Sequence, residues 1–239
     1  MRGNKVDLKA SFIRLLKDFA AAFMPYSCHR CRVSTDFGIV FCADCHAKLV
    51  SALHPPRETD DTRCDFPVYT LSSYSSVMAD VIRIIKYHPS VRLLKVLAEA
   101  CQKHGDIRSL VKKGDVIVPV PMHSQRFSKR GFNQAAELAA DFAASAGCHL
   151  SPALIRTRAT RPQADCDEEE RRDNLKDAFA LDSNLKRSAF ANSHIILVDD
   201  VATTGSTLQL CANKLRELRP AKISALVVSH SYKKILTAD

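Results

Sequence analysis

His194-Ile195-Ile196-Leu197-Val198-Asp199-Asp200-Val201-Ala202-Thr203-Thr204-Gly205-Ser206-Thr207-Leu208 decides the fold of this chain. Ile195 to Val198 are apolar and mostly β-branched, the composition of a buried strand in a parallel sheet. The paired acids Asp199 and Asp200 follow where that strand is expected to end. Thr203 to Thr207 then read as a turn rich in hydroxyls and closely spaced backbone N–H groups, and Leu208, Cys211, Leu215 and Leu218 recur at helical spacing. The order is strand, acidic pair, hydroxyl-rich loop, helix.

A loop that leaves the carboxyl end of a parallel strand and opens a helix is where α/β proteins receive phosphate, because free N–H groups and the helix dipole both favour an anion. Phosphate alone does not explain Asp199 and Asp200, since carboxylates repel it unless they hold something else, such as sugar hydroxyls or Mg²⁺. A ribose 5-phosphate carrying further phosphates satisfies all of these groups. The loop is not a Walker A loop, which needs a lysine before the Ser/Thr and spaced glycines that are missing here. Leu197 to Thr207, LVDDVATTGST, resembles the motif with which type I phosphoribosyltransferases bind 5-phosphoribosyl 1-pyrophosphate (PRPP).

The 239 residues suffice for one α/β domain plus a small module, and 46% hydrophobic residues make the chain globular. No apolar run reaches the length of a membrane span and the N-terminus lacks a signal-peptide pattern, so the expectation is a soluble, cytoplasmic protein. In that setting nine cysteines point to metal binding or free thiols rather than a disulfide framework. The net charge of +9 is compatible with nucleic acid or polyphosphate and proves neither.

Residues 1–24 carry Leu8, Phe12, Leu15, Phe19 and Phe23 at spacings of three and four, with Lys9, Arg14 and Lys17 among them. This predicts a basic amphipathic helix, which packs on its own domain or lies on a membrane surface or a partner. Beyond Pro25, Cys28-His29-Arg30-Cys31 and Cys42-Ala43-Asp44-Cys45 form two C-x₂-C knuckles, whose sulfurs complete the four-thiolate shell that a structural Zn²⁺ prefers. With every ligand position filled by cysteine, a single structural zinc is expected, in a module spanning residues 25–60 with its linker. Phe37 to Phe41 reads as a short strand between the knuckles, and residues 51–65, with Pro55-Pro56, as a linker.

The remainder, 61–239, reads as one α/β domain. Phe66 to Tyr74 suits a strand, and Val77 to Tyr87 and Val91 to Cys101 suit helices; Lys86 closes the first of these as an ordinary last-turn cation. Asp115 to Pro121 is a second apolar strand, followed by a loop, Met122 to Gln134, whose Arg126, Lys129 and Arg130 face no acid. That cationic loop between strand and helix is a candidate receiver of pyrophosphate. From Arg156 to Arg172 arginines and acids balance, which argues against a simple DNA-binding stripe and suggests a mobile loop over the site. Ile223 to Ser229 gives a last strand.

The order of features resembles the ComF family of competence-associated, phosphoribosyltransferase-like proteins, which includes GntX-like members and joins a cysteine-rich zinc module to a type I phosphoribosyltransferase domain. The resemblance is carried by Cys28, Cys31, Cys42 and Cys45, Ile85-Lys86-Tyr87, Val118-Pro119-Val120-Pro121, Arg130-Gly131-Phe132-Asn133-Gln134, Gln163, Arg171, Asn174 and the Asp199 motif. It implies a parallel sheet flanked by helices, and PRPP with Mg²⁺ as ligand. Asp199 and Asp200 would hold the ribose hydroxyls, Thr203, Thr204, Gly205, Ser206 and Thr207 the 5-phosphate, Arg126 and Arg130 the pyrophosphate, and Arg171 would close over it. The implied role is support of DNA uptake in natural transformation with an undefined phosphoribosyl acceptor. The alternative is a non-catalytic PRPP or phosphate sensor, or an adaptor to single-stranded DNA or a DNA-translocation ATPase. Thr203 departs from purine-salvage enzymes, which often place an aspartate there; a threonine cannot handle a base proton near neutral pH.

Overall fold

The computed structural model describes residues 26–59, 64–73, 75–87, 90–157 and 178–231. The expected helix over 1–24, the part of the expected mobile loop beyond residue 157, and Gln163, Arg171 and Asn174 lie outside the described residues. The chain divides into two compact units, Met1–Lys48 and Leu49–Asp239.

In the first unit the two knuckles are joined by a turn rather than by the expected strand. Phe37 and Ile39 are about half exposed and Gly38 takes a left-handed φ of 86°, while Val40 and Phe41 are buried. An alternating strand would have needed a partner along Phe37–Phe41. The bridge that forms there instead pairs Ser27 with Ser34, and the Phe37 ring stands edge-on to Tyr26 at 5.0 Å. The second knuckle leads into α1 (Ala43–Ser51).

The second unit is built on a six-stranded sheet. Its strands are β1 (Leu53–Glu58), β2 (Val68–Ser72), β3 (Val116–Pro119), β4 (His149–Leu150), β7 (His194–Ala202) and β8 (Lys222–His230), in the order β1-β2-β8-β7-β3-β4. All neighbours run parallel except β1, which is antiparallel to β2. The segment read as a linker therefore supplies an edge strand. Pro55 and Pro56 are tolerated because an edge strand leaves one row of N–H groups unpaired, and the register slips between Leu53 and Arg57. A separate pair, β5 (Leu154–Arg156) and β6 (Phe179–Leu181), is antiparallel.

Helices α2 (Ser76–Tyr87), α3 (Val91–His104), α4 (Ser124–Arg130), α5 (Gln134–Ala146) and α6 (Ser206–Leu215) connect the strands. Ile195 and Leu197 of β7 share one core with Val116 and Val118 of β3, Ala225 and Val227 of β8, and Leu208, Cys211 and Leu215 of α6. Ile196 and Val198 alternate to the other face, and α5 packs against β3, β7 and α3. Ile195 to Val198 are fully buried, as a strand covered on both faces requires. From β7 the chain crosses through α6 to β8 on one side, whereas from β3 it crosses through α5 to β4 on the other. The connections diverge between β3 and β7, and the carboxyl ends of those two strands open the crevice where α/β sheets bind ligands.

At the opposite, amino end, β7 begins in a polar network. His194 Nε2 lies 2.8 Å from the Ser224 hydroxyl and Nδ1 lies 3.4 Å from Asp115 Oδ1, while Asp115 Oδ2 accepts the Lys112 N–H at 2.8 Å. Ser224 is fully buried, so this Asp-His-Ser arrangement serves the fold. Burial lowers the His194 pKa despite the Asp115 charge. A depressed folded pKa means that the unfolded chain takes up the proton first, so stability is complete above the ordinary histidine range and falls as the pH drops through it. Urea unfolding midpoints should fall between pH 7.5 and 5.5, and His194→Gln should flatten that dependence. An unchanged slope in the variant would remove His194 as its source.

Candidate functional site

β7 carries the acids further than the sequence reading placed them. Its pairing with β8 runs through Asp199 and resumes at Val201 and Ala202, so Asp199 and Asp200 are strand residues and not the start of the loop. Local hydrogen bonds fix them: the Asp200 N–H donates to Asp199 Oδ1 at 2.8 Å, and the Val201 N–H donates to Asp200 Oδ1 at 2.9 Å. Burial, then the neighbouring Asp200 charge, pushes the Asp199 carboxyl well above the usual carboxylate range. Asp200 lies 3.6 Å from Lys86 Nζ at the end of α2. Lys86 is therefore more than a last-turn cation, a role the sequence reading did not give it although Ile85-Lys86-Tyr87 was among the quoted motifs.

The loop that follows places Thr203 in solvent and the Thr204 and Ser206 hydroxyls 2.9 Å apart. Gly205 is the N-cap of α6 with φ 70°, a left-handed conformation that glycine adopts without a Cβ penalty. A glycine cap offers the first-turn N–H groups no side-chain acceptor, which suits a helix start that receives an anion. Long-range bonds hold this helix start. Cys64 Sγ donates to the Gly205 carbonyl at 3.4 Å, and Asp65 accepts from Gln209 of α6 at 3.0 Å and from Arg216, just beyond the helix, at 2.6 Å.

The loop after β3 was expected to be irregular, and instead holds α4. His123 Nδ1 accepts the Gln125 N–H at 3.2 Å, and Gly131, left-handed with φ 79°, donates its N–H to Phe127 O at 2.7 Å. The residues of Arg130-Gly131-Phe132-Asn133-Gln134 divide the work locally. Gly131 ends α4, Phe132 is buried, and Asn133 caps α5 through Ala135 N–H while donating to Val120 O at 2.9 Å. α4 itself buries none of its residues, so Arg126, Phe127 and Lys129 are exposed and Arg130 is partly so. Burial and then the Arg126 charge disfavour the Arg156 cation of β5, which Cys211 and Asp199 favour. Arg156 was counted only within a run of arginines; β5 and its fold-back onto β6 are what single it out.

In the N-terminal unit the four cysteine sulfurs lie within 4.8 Å of one another, with Cys31 and Cys42 Sγ 3.6 Å apart. A tetrahedron of Zn–S bonds of about 2.3 Å has edges of about 3.8 Å, so the cluster has the size to hold a metal such as zinc. Burial works against the Cys28 thiolate, yet the backbone N–H groups of Cys31, Cys42 and Arg30 outweigh it and bring the thiol down to about 6. Burial pushes Cys45 up to about 12, although Arg30 Nη1 donates to its sulfur at 3.9 Å. No helix among the described residues is long and apolar enough to cross a membrane.

The phosphoribosyl transferase domain model matches residues 85–235. DNA utilization protein YhgH of Salmonella typhi is 40% identical over 102 residues, covering 42% of this chain and 43% of that protein. Competence protein F of Haemophilus influenzae is 36% identical over 109 residues, covering 45% and 47%, and competence protein ComFC of Bacillus subtilis is 31% identical over 120 residues, covering 48% and 45%. The match thus spans less than half the length of each of these relatives. The chain belongs to the phosphoribosyl transferase domain family, and its similarity to competence and DNA-utilization proteins supports the ComF resemblance.

Proposed function

We propose that this chain binds PRPP with Mg²⁺ in the crevice between the carboxyl ends of β3 and β7, in support of DNA uptake during natural transformation. The observation that carries the reading is the acid pair near the end of β7, joined by a short hydroxyl-bearing loop to a helix whose cap is a left-handed glycine. Asp199 and Asp200 would take the ribose hydroxyls, and Thr203 to Thr207 the 5-phosphate through N–H and hydroxyl groups. Arg126 and Arg130 would take the pyrophosphate, with Arg171 closing over it. Two carboxylates are suitable hard oxygen ligands for Mg²⁺, which would neutralise charge on the diphosphate. As pyrophosphate leaves C1, positive charge grows on the ribose ring, and the acid pair is suited to stabilise it.

Calorimetric titration of PRPP with Mg²⁺ should give binding to the wild type that Asp199→Asn/Asp200→Asn weakens by about tenfold or more, or about 1.4 kcal/mol. Equal binding by both proteins would take the acids out of the site. The raised Asp199 pKa adds a sign. The ligand selects the carboxylate that burial disfavours, so binding should tighten as the pH rises from the ordinary carboxylate range toward the folded pKa. An affinity that does not rise with pH over that range would contradict this.

A second reading is a non-catalytic PRPP sensor, or an adaptor to single-stranded DNA or a DNA-translocation ATPase. Thr203 favours it, because the position that often carries the proton-handling acid in purine salvage holds an exposed threonine. The names of the relatives and the charge of +9 support a role with DNA. A pyrophosphate-release screen over bases and nucleic acids decides between the two: release with one acceptor supports transfer, and tight PRPP binding without release supports the sensor.

The cysteine cluster is read as one structural Zn²⁺ site, since four thiolates leave no position open to substrate. Purified protein should contain about one zinc per chain; Cys31→Ser, which removes one of four ligands, should lower it, and chelation should destabilise the module, to which zinc contributes ~10–16 kcal/mol. Full metal content in the variant, or chelation that leaves thermal unfolding untouched, would oppose the assignment.

A further inference from the structure

We propose that Lys86 guards the metal position of the acid pair: its ammonium holds off a free divalent cation, so that Mg²⁺ enters together with the diphosphate of PRPP. The inference rests on the PRPP reading above. Each carboxylate of the pair has one oxygen engaged by the backbone, since Asp199 Oδ1 accepts the Asp200 N–H at 2.8 Å and Asp200 Oδ1 accepts the Val201 N–H at 2.9 Å. Asp200 Oδ2 is left for a cation, and Lys86 Nζ lies 3.6 Å from it. The oxygen suited to a hard divalent ion is thus the one that the lysine faces.

The pairing has the form of an exchangeable counter-ion rather than a fixed strut. A separation of 3.6 Å exceeds the about 2.7–2.9 Å of a charge-assisted hydrogen bond, so the ammonium balances Asp200 through space without being locked onto it. Lys86 is the penultimate residue of α2, and its side chain is 33% exposed against 16% for Asp200. The lysine therefore has a way into solvent, whereas the carboxylate is held in β7 and cannot follow. The end of a helix explains a cation at this position, but not its placement against the unengaged oxygen of the pair. A hydrated ammonium on a flexible stem can leave more readily than a guanidinium fork. Lys86 repels a bare divalent cation at Asp200 Oδ2, because both are positive in a site little screened by water. Toward a cation carried on a diphosphate, whose net charge is negative, the same ammonium is attracted, and it finds phosphate oxygens when it moves off the acid.

The test measures Mn²⁺ binding to the full chain by electron paramagnetic resonance in the absence of PRPP, for wild type, Lys86→Met and Lys86→Arg. Lys86→Met should bind Mn²⁺ about tenfold or more tighter than wild type, and Lys86→Arg, which keeps the charge, should stay within about threefold of it. The gain should vanish in Lys86→Met/Asp200→Asn, which separates the acid pair from any other Mn²⁺ site. Removal of a merely structural lysine would not tighten binding of a cation. Equal Mn²⁺ affinity in wild type and Lys86→Met, or a gain shared by Lys86→Arg, overturns the inference. If Lys86→Met does not unfold cooperatively, Lys86→Gln takes its place with the same expected gain. Calorimetry with PRPP and Mg²⁺ on the same proteins keeps the two readings apart. Wild type that binds PRPP while Lys86→Met gains no Mn²⁺ affinity overturns the role of Lys86 alone, whereas wild type that does not bind PRPP overturns the donor-site reading and, with it, entry of the cation on PRPP.

Discussion

Two carboxylates at the end of a buried strand repel each other, and the rest of the second unit is arranged around that constraint. Asp199 is desolvated and faces the charge of Asp200, which raises its pKa. Like-charge neighbours of this kind persist when something else repays them. The protein supplies part of the balance from outside β7: Lys86 reaches Asp200 from α2, and its charge also favours the Asp199 carboxylate. The rest is suited to a ligand that brings hydroxyls and a divalent cation to the acids and phosphates to the surrounding donors. The cost at β7 and the function proposed for it are thus one feature.

The crevice follows from topology. Parallel pairing of β3 and β7 with diverging crossovers opens a crevice at their carboxyl ends, and each crossover opens with a feature that would suit an anion. After β7 this is the Gly205 cap, held by the Cys64 bond to its carbonyl and by the Asp65 bond to Gln209 of α6. After β3 it is α4, a short cationic helix capped at both ends and anchored through Asn133 to Val120 O. Polar caps hold α4 in place of packing, which leaves its arginines exposed.

The elements legible in the sequence were those with a strong apolar period. The cores of α2, α3, β3, β7 and β8 and the helix after Thr207 follow from Ile, Val and Leu spacing alone. What was not legible depended on partners far along the chain. Pro55-Pro56 is a linker signal by itself and becomes an edge strand only because β2 is there to pair with it. Phe37–Phe41 has strand composition but no strand beside it, and turns instead. In the candidate site, Asp199, Asp200 and the Thr203–Thr207 loop stood out because their residue types are rare in that order. Lys86 and Arg156 did not, since a single cation says nothing until folding brings an acid or a second cation to it.

The central claim is that one ligand spans the acid pair, the Gly205 loop and the cationic side of the crevice. Its most direct test is a ³¹P NMR titration of PRPP and Mg²⁺ with the full chain. The account predicts that the 5-phosphate and both diphosphate resonances shift together, and that Asp199→Asn/Asp200→Asn reduces all three responses. A response confined to the diphosphate, or one that the double variant leaves intact, would contradict it.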